Sequence, residues 1–176
     1  MQDALAELLD KQAIAETIHR YAQGIDRRDP ECLASVFTAD AVLHYGVGLY
    51  DGPARDMIAG WAPDRPSPFL STHHHVGNVL VRFSSRARAK AITYFSAVHR
   101  ARRNGILVDE FVRGRYLDKL VKRGDQWRIE ERRLVYDWSR VDPASGSDWW
   151  ERPGGKALVG ADGPEDPSVA FLAERD

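Results

Sequence analysis

An α+β fold, with helices first and a long, mostly antiparallel sheet after them, is what this chain predicts. Three features predict it. Apolar residues between Ala4 and Ile25 recur at helical spacing. Beyond Ser71, extended segments rich in β-branched and aromatic residues alternate with tight-turn signals. The helical pattern precedes the strands and does not alternate with them.

The first helix spans Ala4–Ile25, with Leu5, Leu8, Leu9, Ile14, Ile18, Tyr21, Ala22 and Ile25 as its apolar stripe. Gly24 weakens the last turn, and Asp26-Arg27-Arg28-Asp29 breaks it. Asp29-Pro30 starts a second helix: aspartate suits the N-cap, and proline the first helical position, where its missing N–H costs nothing. Leu33, Val36 and Phe37 form its stripe, and it ends near Thr38-Ala39-Asp40. Ala41–Tyr45 is a short strand. A turn over Gly46–Gly48 leads to a second short strand reaching Tyr50. Asp51-Gly52-Pro53 breaks the chain, and Ala54–Trp61 is a short helix with Met57, Ile58 and Trp61 apolar. The prolines between Ala62 and Pro68 require a loop.

Long strands follow at Thr72–Phe83, Ala89–Arg102, Leu107–Val121 and Trp127–Trp138. Ser84–Arg88, Asn104-Gly105 and Arg123-Gly124-Asp125 are the turns. A sheet this extended must curve to enclose one domain, so it wraps the first helix as a cone-shaped barrel with a blind end. Residues 1–138 form this domain. Residues 139–176 are punctuated by Asp142-Pro143, Pro153-Gly154-Gly155, Gly163-Pro164 and Asp166-Pro167. They read as an irregular arm that covers the domain or a neighbouring subunit, docked through Trp149-Trp150 and Val169–Leu172.

A formal net charge of -1 gives no electrostatic case for nucleic acid or a membrane surface. No apolar run approaches the ~20 residues of a membrane span. The N-terminus lacks a basic start followed by an apolar core, so no secretory signal is expected. The single cysteine, Cys32, cannot form an intramolecular disulfide and fits a reducing cytoplasm. No phosphate-cradling glycine loop or dinucleotide fingerprint occurs, and no cofactor is expected.

The chemistry concentrates in Ser71–Phe83, S-T-H-H-H-V-G-N-V-L-V-R-F. Neighbouring side chains on a strand point to opposite faces, so His74 faces one way and His73 and His75 the other. The run therefore does not present three ligands to one metal, and no spaced carboxylate or cysteine completes a site. The end of the first helix would bring Asp26 beside His74. An aspartate on one ring nitrogen fixes the tautomer and leaves the other nitrogen to accept a proton. Taken singly, Asp26 reads equally as a turn residue and His74 as a half-buried strand histidine.

Four pieces of the chain carry a family resemblance: Y-A-Q-G-I-D (Tyr21–Asp26), L-A-S-V-F-T-A-D-A-V-L-H-Y (Leu33–Tyr45), T-H-H-H-V-G-N (Thr72–Asn78) and W-R-I-E-E-R-R-L-V-Y-D-W (Trp127–Trp138). Together they resemble the SnoaL-like branch of the nuclear transport factor 2-like superfamily, and within it scytalone dehydratase, hexachlorocyclohexane dehydrochlorinase and bile acid dehydratase. The resemblance implies a cone with a deep apolar pocket and a His–Asp dyad, with Asp26 and His74 in those roles. It implies active-site tyrosines at Tyr45 and Tyr21, and a pocket arginine at Arg132, with adjacent Arg133 competing for that place. His99 lies near a second pocket histidine of scytalone dehydratase in a shifted register; it is taken as a pocket residue without that role. Met57, Trp61, Phe69 and Phe95 are candidate wall residues.

The implied activity is that of a cofactor-independent lyase, of dehydratase or dehydrohalogenase type. Its substrate would be a hydrophobic ring compound of polyketide, steroid or other aromatic kind. An isomerase or cyclase using the same base, a non-catalytic binding protein, and a structural protein like a dioxygenase small subunit remain open. A cytoplasmic homodimer or homotrimer without nucleic-acid or membrane partners is expected.

Overall fold

The computed structural model describes residues 2–46, 48–144 and 157–174. Helix α1 covers Gln2–Asp26 and α2 Pro30–Val36. Strand β1 (Phe37–Gly46) and the short β2 (Tyr50–Pro53) follow, then α3 (Ala54–Gly60). The long strands are β3 (Ser71–Ser85), β4 (Arg88–Arg103), β5 (Ile106–Arg123) and β6 (Gln126–Pro143). A 3-10 turn at Gly163–Glu165 and α4 (Pro167–Ala173) complete the described chain. Among the described residues no helix is long and apolar enough to cross a membrane.

The sheet order is β2-β1-β6-β5-β4-β3. Neighbours are antiparallel except β1 and β6, which run parallel. The sheet curves around α1 as the sequence predicts, but it stays open, with β2 and β3 as its edges. Curvature has a visible cause at Gly114. The β5–β6 register shifts between Arg113 and Gly114, and a Cβ on Gly114 would overlap the Val135 carbonyl oxygen. Only glycine permits that approach. Ile14, Ile18, Tyr21 and Ile25 of α1 pack into the concave face with Leu33, Val36, Phe37, Trp127 and Ile129.

Several boundaries move. Asp29 caps α2 as expected, its Oδ1 accepting the N–H groups of Glu31 and Cys32 at 3.0 and 2.9 Å. Thr38-Ala39-Asp40, expected to end α2, instead belongs to β1, because Phe37 already pairs with Ile129 of β6. The apolar stripe of α1 is shorter than its sequence suggests. Asp10, bonded to Lys122 Nζ and Trp127 Nε1 at 2.7 and 2.9 Å, is its last partly buried tie to the sheet. Leu5, Leu8 and Leu9 stand beyond it, exposed. Strand β6 runs past Trp138 to Pro143, still paired with β5. Val169–Leu172 lies in α4, exposed from residue to residue, whereas Asp166 just before it is buried. Trp149-Trp150 lies outside the described residues.

The alternation in β3 changes phase part-way. Asn78 has φ 49°, and the β3–β4 register shifts between Gly77 and Leu80. Before this bulge the even residues Thr72, His74 and Val76 turn inward; after it Val79, Val81 and Phe83 do. One extra residue thus lets both halves of the strand bury an apolar or functional face.

At the floor of the cone Arg132 and Asp118 are both fully buried. Two parallel hydrogen bonds of 2.7 Å join Nε and Nη2 to the two carboxylate oxygens. The guanidinium lies between the rings of Tyr21 and Tyr116, 4.0 and 4.1 Å from their centroids. Burial works against its charge, but Asp118 outweighs burial and holds Arg132 well above the ordinary arginine range. Removing one partner strands the other charge in the core. Asp118→Ala should therefore destabilise the protein by about 3–5 kcal/mol, seen as a lower midpoint in urea unfolding. The paired replacement Asp118→Leu with Arg132→Met should recover most of that loss.

Candidate active site

The last residue of α1 and the start of the edge strand β3 meet at one carboxylate. Asp26 Oδ1 accepts from the His74 ring at Nδ1 (2.7 Å) and from the Thr72 hydroxyl (2.9 Å). Its Oδ2 accepts the backbone N–H of His74 at 2.6 Å. Both side chains of the pair are nearly buried, at 9% and 8% exposure. Burial pushes the Asp26 carboxyl up, but the hydrogen bonds and charge of His74, with Thr72, outweigh it and hold the pKa below the ordinary value. An ionised Asp26 fixes the proton on Nδ1, so Nε2 carries the free lone pair.

His74 borders a cavity of about 490 Å³. Tyr21, Tyr45, Met57, Trp61, Phe69, Phe95 and His99 also line it. His73 and His75 are exposed on the other side of β3. They border an outer groove of about 430 Å³ with His19, and Asp26 and His74 form part of its wall as well. Among the described residues no three His, Cys, Asp or Glu side chains are arranged to hold a metal ion.

Arg132 does not line this cavity. It sits behind Tyr21 and Tyr116, committed to Asp118, so direct contact with a ligand would require those rings to move. Its Nη1 is buried without a hydrogen-bond partner. Arg133, its competitor in sequence, points outward and pairs with Glu131.

The polar groups of the cavity can be counted by donor and acceptor. The Tyr21 and Tyr45 hydroxyls bond to each other at 2.9 Å, so whichever accepts keeps its own O–H free. Burial first, then the neighbouring Tyr21, pushes the Tyr45 pKa well up, although Arg132 pulls the other way. Tyr45 therefore stays a protonated donor at neutral pH. Tyr50 and Tyr136 donate to the carbonyl oxygens of Pro53 (2.7 Å) and Tyr45 (3.2 Å). His99 stands 5.3 Å from the His74 ring and 4.6 Å from Phe69, centroid to centroid. Burial and the proximity of His74 lower its pKa to about 4, so it is neutral at pH 7.

Thr72, Tyr116 and Tyr136 were not foreseen. Thr72 had a usable signal, since it lies two residues before His74 and so shares its face. The tyrosines carried none, being ordinary strand residues until the sheet curves.

Two outcomes follow for the apo protein. The lowered pKa of Asp26 contributes stability that is complete above the ordinary carboxylate range near ~4 and is lost as pH falls through the lower folded value. Thr72→Val removes one donor and should cost about 1.5–3 kcal/mol, and the acid unfolding midpoint should move to higher pH. Thr72→Ser should restore both. The lowered pKa of His99 makes stability complete above 6.5 and progressively lost toward about 4. Urea unfolding across that range should show this loss, and His99→Gln should remove its share.

Sequence and structure comparisons identify the fold and the family. The SnoaL-like domain model matches residues 6–133. An uncharacterized protein of Mycobacterium tuberculosis is 30% identical over 131 residues, 73% of this chain and 86% of that protein. A provisionally assigned scytalone dehydratase of Novosphingobium aromaticivorans superposes with a TM-score of 0.67 at 25% identity, over 89% of this chain and 99% of that one. A hexachlorocyclohexane dehydrochlorinase of Novosphingobium barchaimii gives 0.65 at 19% identity, over 82% and 96%. The fold is that of the nuclear transport factor 2-like superfamily, and the chain belongs to its SnoaL-like family.

Proposed function

We propose that this protein is a cofactor-independent lyase, of dehydratase or dehydrohalogenase type, acting on a hydrophobic ring compound. The observation that carries this reading is the 2.7 Å contact between Asp26 and His74 in the wall of a mostly apolar cavity. His74 Nε2 would take a proton from a ring carbon. The C–H electron pair becomes the new C=C bond, and the bond to a hydroxyl or halide on the adjacent carbon breaks. Asp26 holds the imidazolium that forms. The one free O–H of the Tyr21–Tyr45 pair would bind a carbonyl oxygen or protonate a departing hydroxyl. Halide would leave as the anion.

The superfamily fold hosts several chemistries, so the site has to decide. An isomerase or cyclase would use the same base without losing a group. The dehydratase- and dehydrochlorinase-named neighbours favour elimination. We further infer a cytoplasmic homodimer or homotrimer. The outer face of the sheet exposes Leu80, Ile92, Tyr94 and Trp138, a surface suited to a second copy. Light scattering at micromolar concentration should find more than a monomer.

The chemical test starts from a panel of hydroxylated and halogenated ring compounds, with loss of water or hydrogen halide read by mass spectrometry. His74→Ala should keep the fold and lower turnover by ~10²–10⁴-fold. Asp26→Asn should also impair turnover, and the double variant should be little worse than His74→Ala. Wild-type turnover should fall on the acid side, because a protonated dyad accepts no further proton. Full rate in His74→Ala would remove the dyad from the mechanism. Tight binding without turnover would make the protein a carrier.

A further inference from the structure

The chain beyond β6 makes contacts that the proposed chemistry does not use. Residues 157–174 lie against the turn that follows α1. Gly163 N–H donates to the Arg27 carbonyl oxygen. Arg27 Nη1 pairs with Asp166 Oδ2 at 3.0 Å. Gln23 Nε2 donates to Ser168 Oγ at 3.1 Å, and Arg28 Nη1 pairs with Asp162 Oδ2 at 3.1 Å.

Arg28 is 8% exposed and sits at φ 52°, in the left-handed region. Its other donors go to the cavity wall. Nε donates to the Trp61 carbonyl at 3.2 Å, and Nη2 to those of Ala62 and Arg65 at 2.6 Å each. Its guanidinium lies over the Trp61 ring, 5.3 Å from the centroid. The stretch from Trp61 to Leu70 has neither helix nor strand, yet its Trp61, Pro66, Pro68 and Phe69 line the cavity. The Leu70 end is fixed separately, through Leu70 N–H to the Arg100 carbonyl (2.7 Å) and Arg103 Nη1 to the Pro68 carbonyl (3.2 Å). Trp61 is also held by α1, its Nε1 donating to the Ile25 carbonyl at 2.8 Å, so it is the Ala62–Arg65 turn that depends chiefly on Arg28. The strap also touches the loop directly: Gly163 has φ 61°, and a Cβ there would come within 3.1 Å of Pro63 Cγ.

We propose that residues 157–174 are a strap that controls access to the cavity. The strap fixes Arg28, and Arg28, a positioning residue, holds the Ala62–Arg65 turn and, through it, the adjoining Pro66 of the cavity wall in place. The strap lies beyond residues 6–133, the part of the chain that matches the family model. The inference rests on reading the cavity as a ligand site, but it does not need the Asp26–His74 chemistry.

Three variants test it in the full chain: Asp162→Ala with Asp166→Ala, Gly163→Val, and Arg28→Lys. The first two loosen the strap, and the third shortens the fork that spans three carbonyls. Amide hydrogen exchange in residues 61–66 should quicken on the order of tenfold or more in each, since charge-assisted bonds to that segment are weakened. Exchange in α1 and β3 should be unchanged. Nile red, an uncharged apolar dye, should enter the cavity faster in all three by stopped-flow fluorescence. If the strap peptide exchanges faster while residues 61–66 and dye entry keep wild-type rates, the strap is an independent appendage and the proposal fails. It also fails if Arg28→Lys alone leaves residues 61–66 unchanged, or if no form takes up dye. Neither readout involves turnover, so an inactive wild type or a fully active His74→Ala would bear on the lyase reading alone.

Discussion

One carboxylate ties the end of α1 to the edge of the sheet. Asp26 is the last residue of α1, and each of its hydrogen bonds goes to the first turns of β3: the Thr72 hydroxyl, the His74 amide and the His74 ring. β3 is an edge strand, held by β4 on one side only. Without Asp26 its leading residues would have only that ladder to define them. The same contact that orients the His74 imidazole therefore closes the seam between helix and sheet. A substitution here disturbs both.

The floor of the cone shows a different arrangement. A full guanidinium is buried there, neutralised by Asp118 and covered by two tyrosine rings. The cavity beside it is lined mostly by apolar side chains and hydroxyl groups, with the imidazoles of His74 and His99 and the carboxylates of Asp56 and Glu110 among them. The guanidinium itself stays out of the cavity, behind the rings of Tyr21 and Tyr116. Tyr45 feels it as a pull toward lower pKa that burial overrides.

Much of this was legible in the sequence, for local reasons. Asp29-Pro30 announces α2, and the alternation of His73, His74 and His75 assigns one imidazole to each face in turn. The pairing of Asp26 with His74 needed the family resemblance, because nothing local brings residues so far apart in sequence together. Other features depended on the path of the sheet. The retreat of Arg132 behind Tyr21 and Tyr116 follows from curvature that a one-dimensional pattern does not encode. Leu5, Leu8 and Leu9 carried a helical stripe that proved correct for periodicity and wrong for burial. Arg28 read only as part of the break after the first helix, and its contacts appear only once the loop from Trp61 and the strap converge on it.

The histidine triplet and the bulge at Gly77-Asn78 have a consequence for how this protein can change. An edge strand is the part of a sheet whose register slips most easily, and a one-residue slip exchanges its two faces. Here a slip in either direction would carry His73 or His75 inward in place of His74. The position opposite Asp26 would still hold an imidazole. Repetition of one residue type thus buffers the site against insertions or deletions in the adjoining bulge, so the strand can drift in register over descent while the chemistry it presents stays the same.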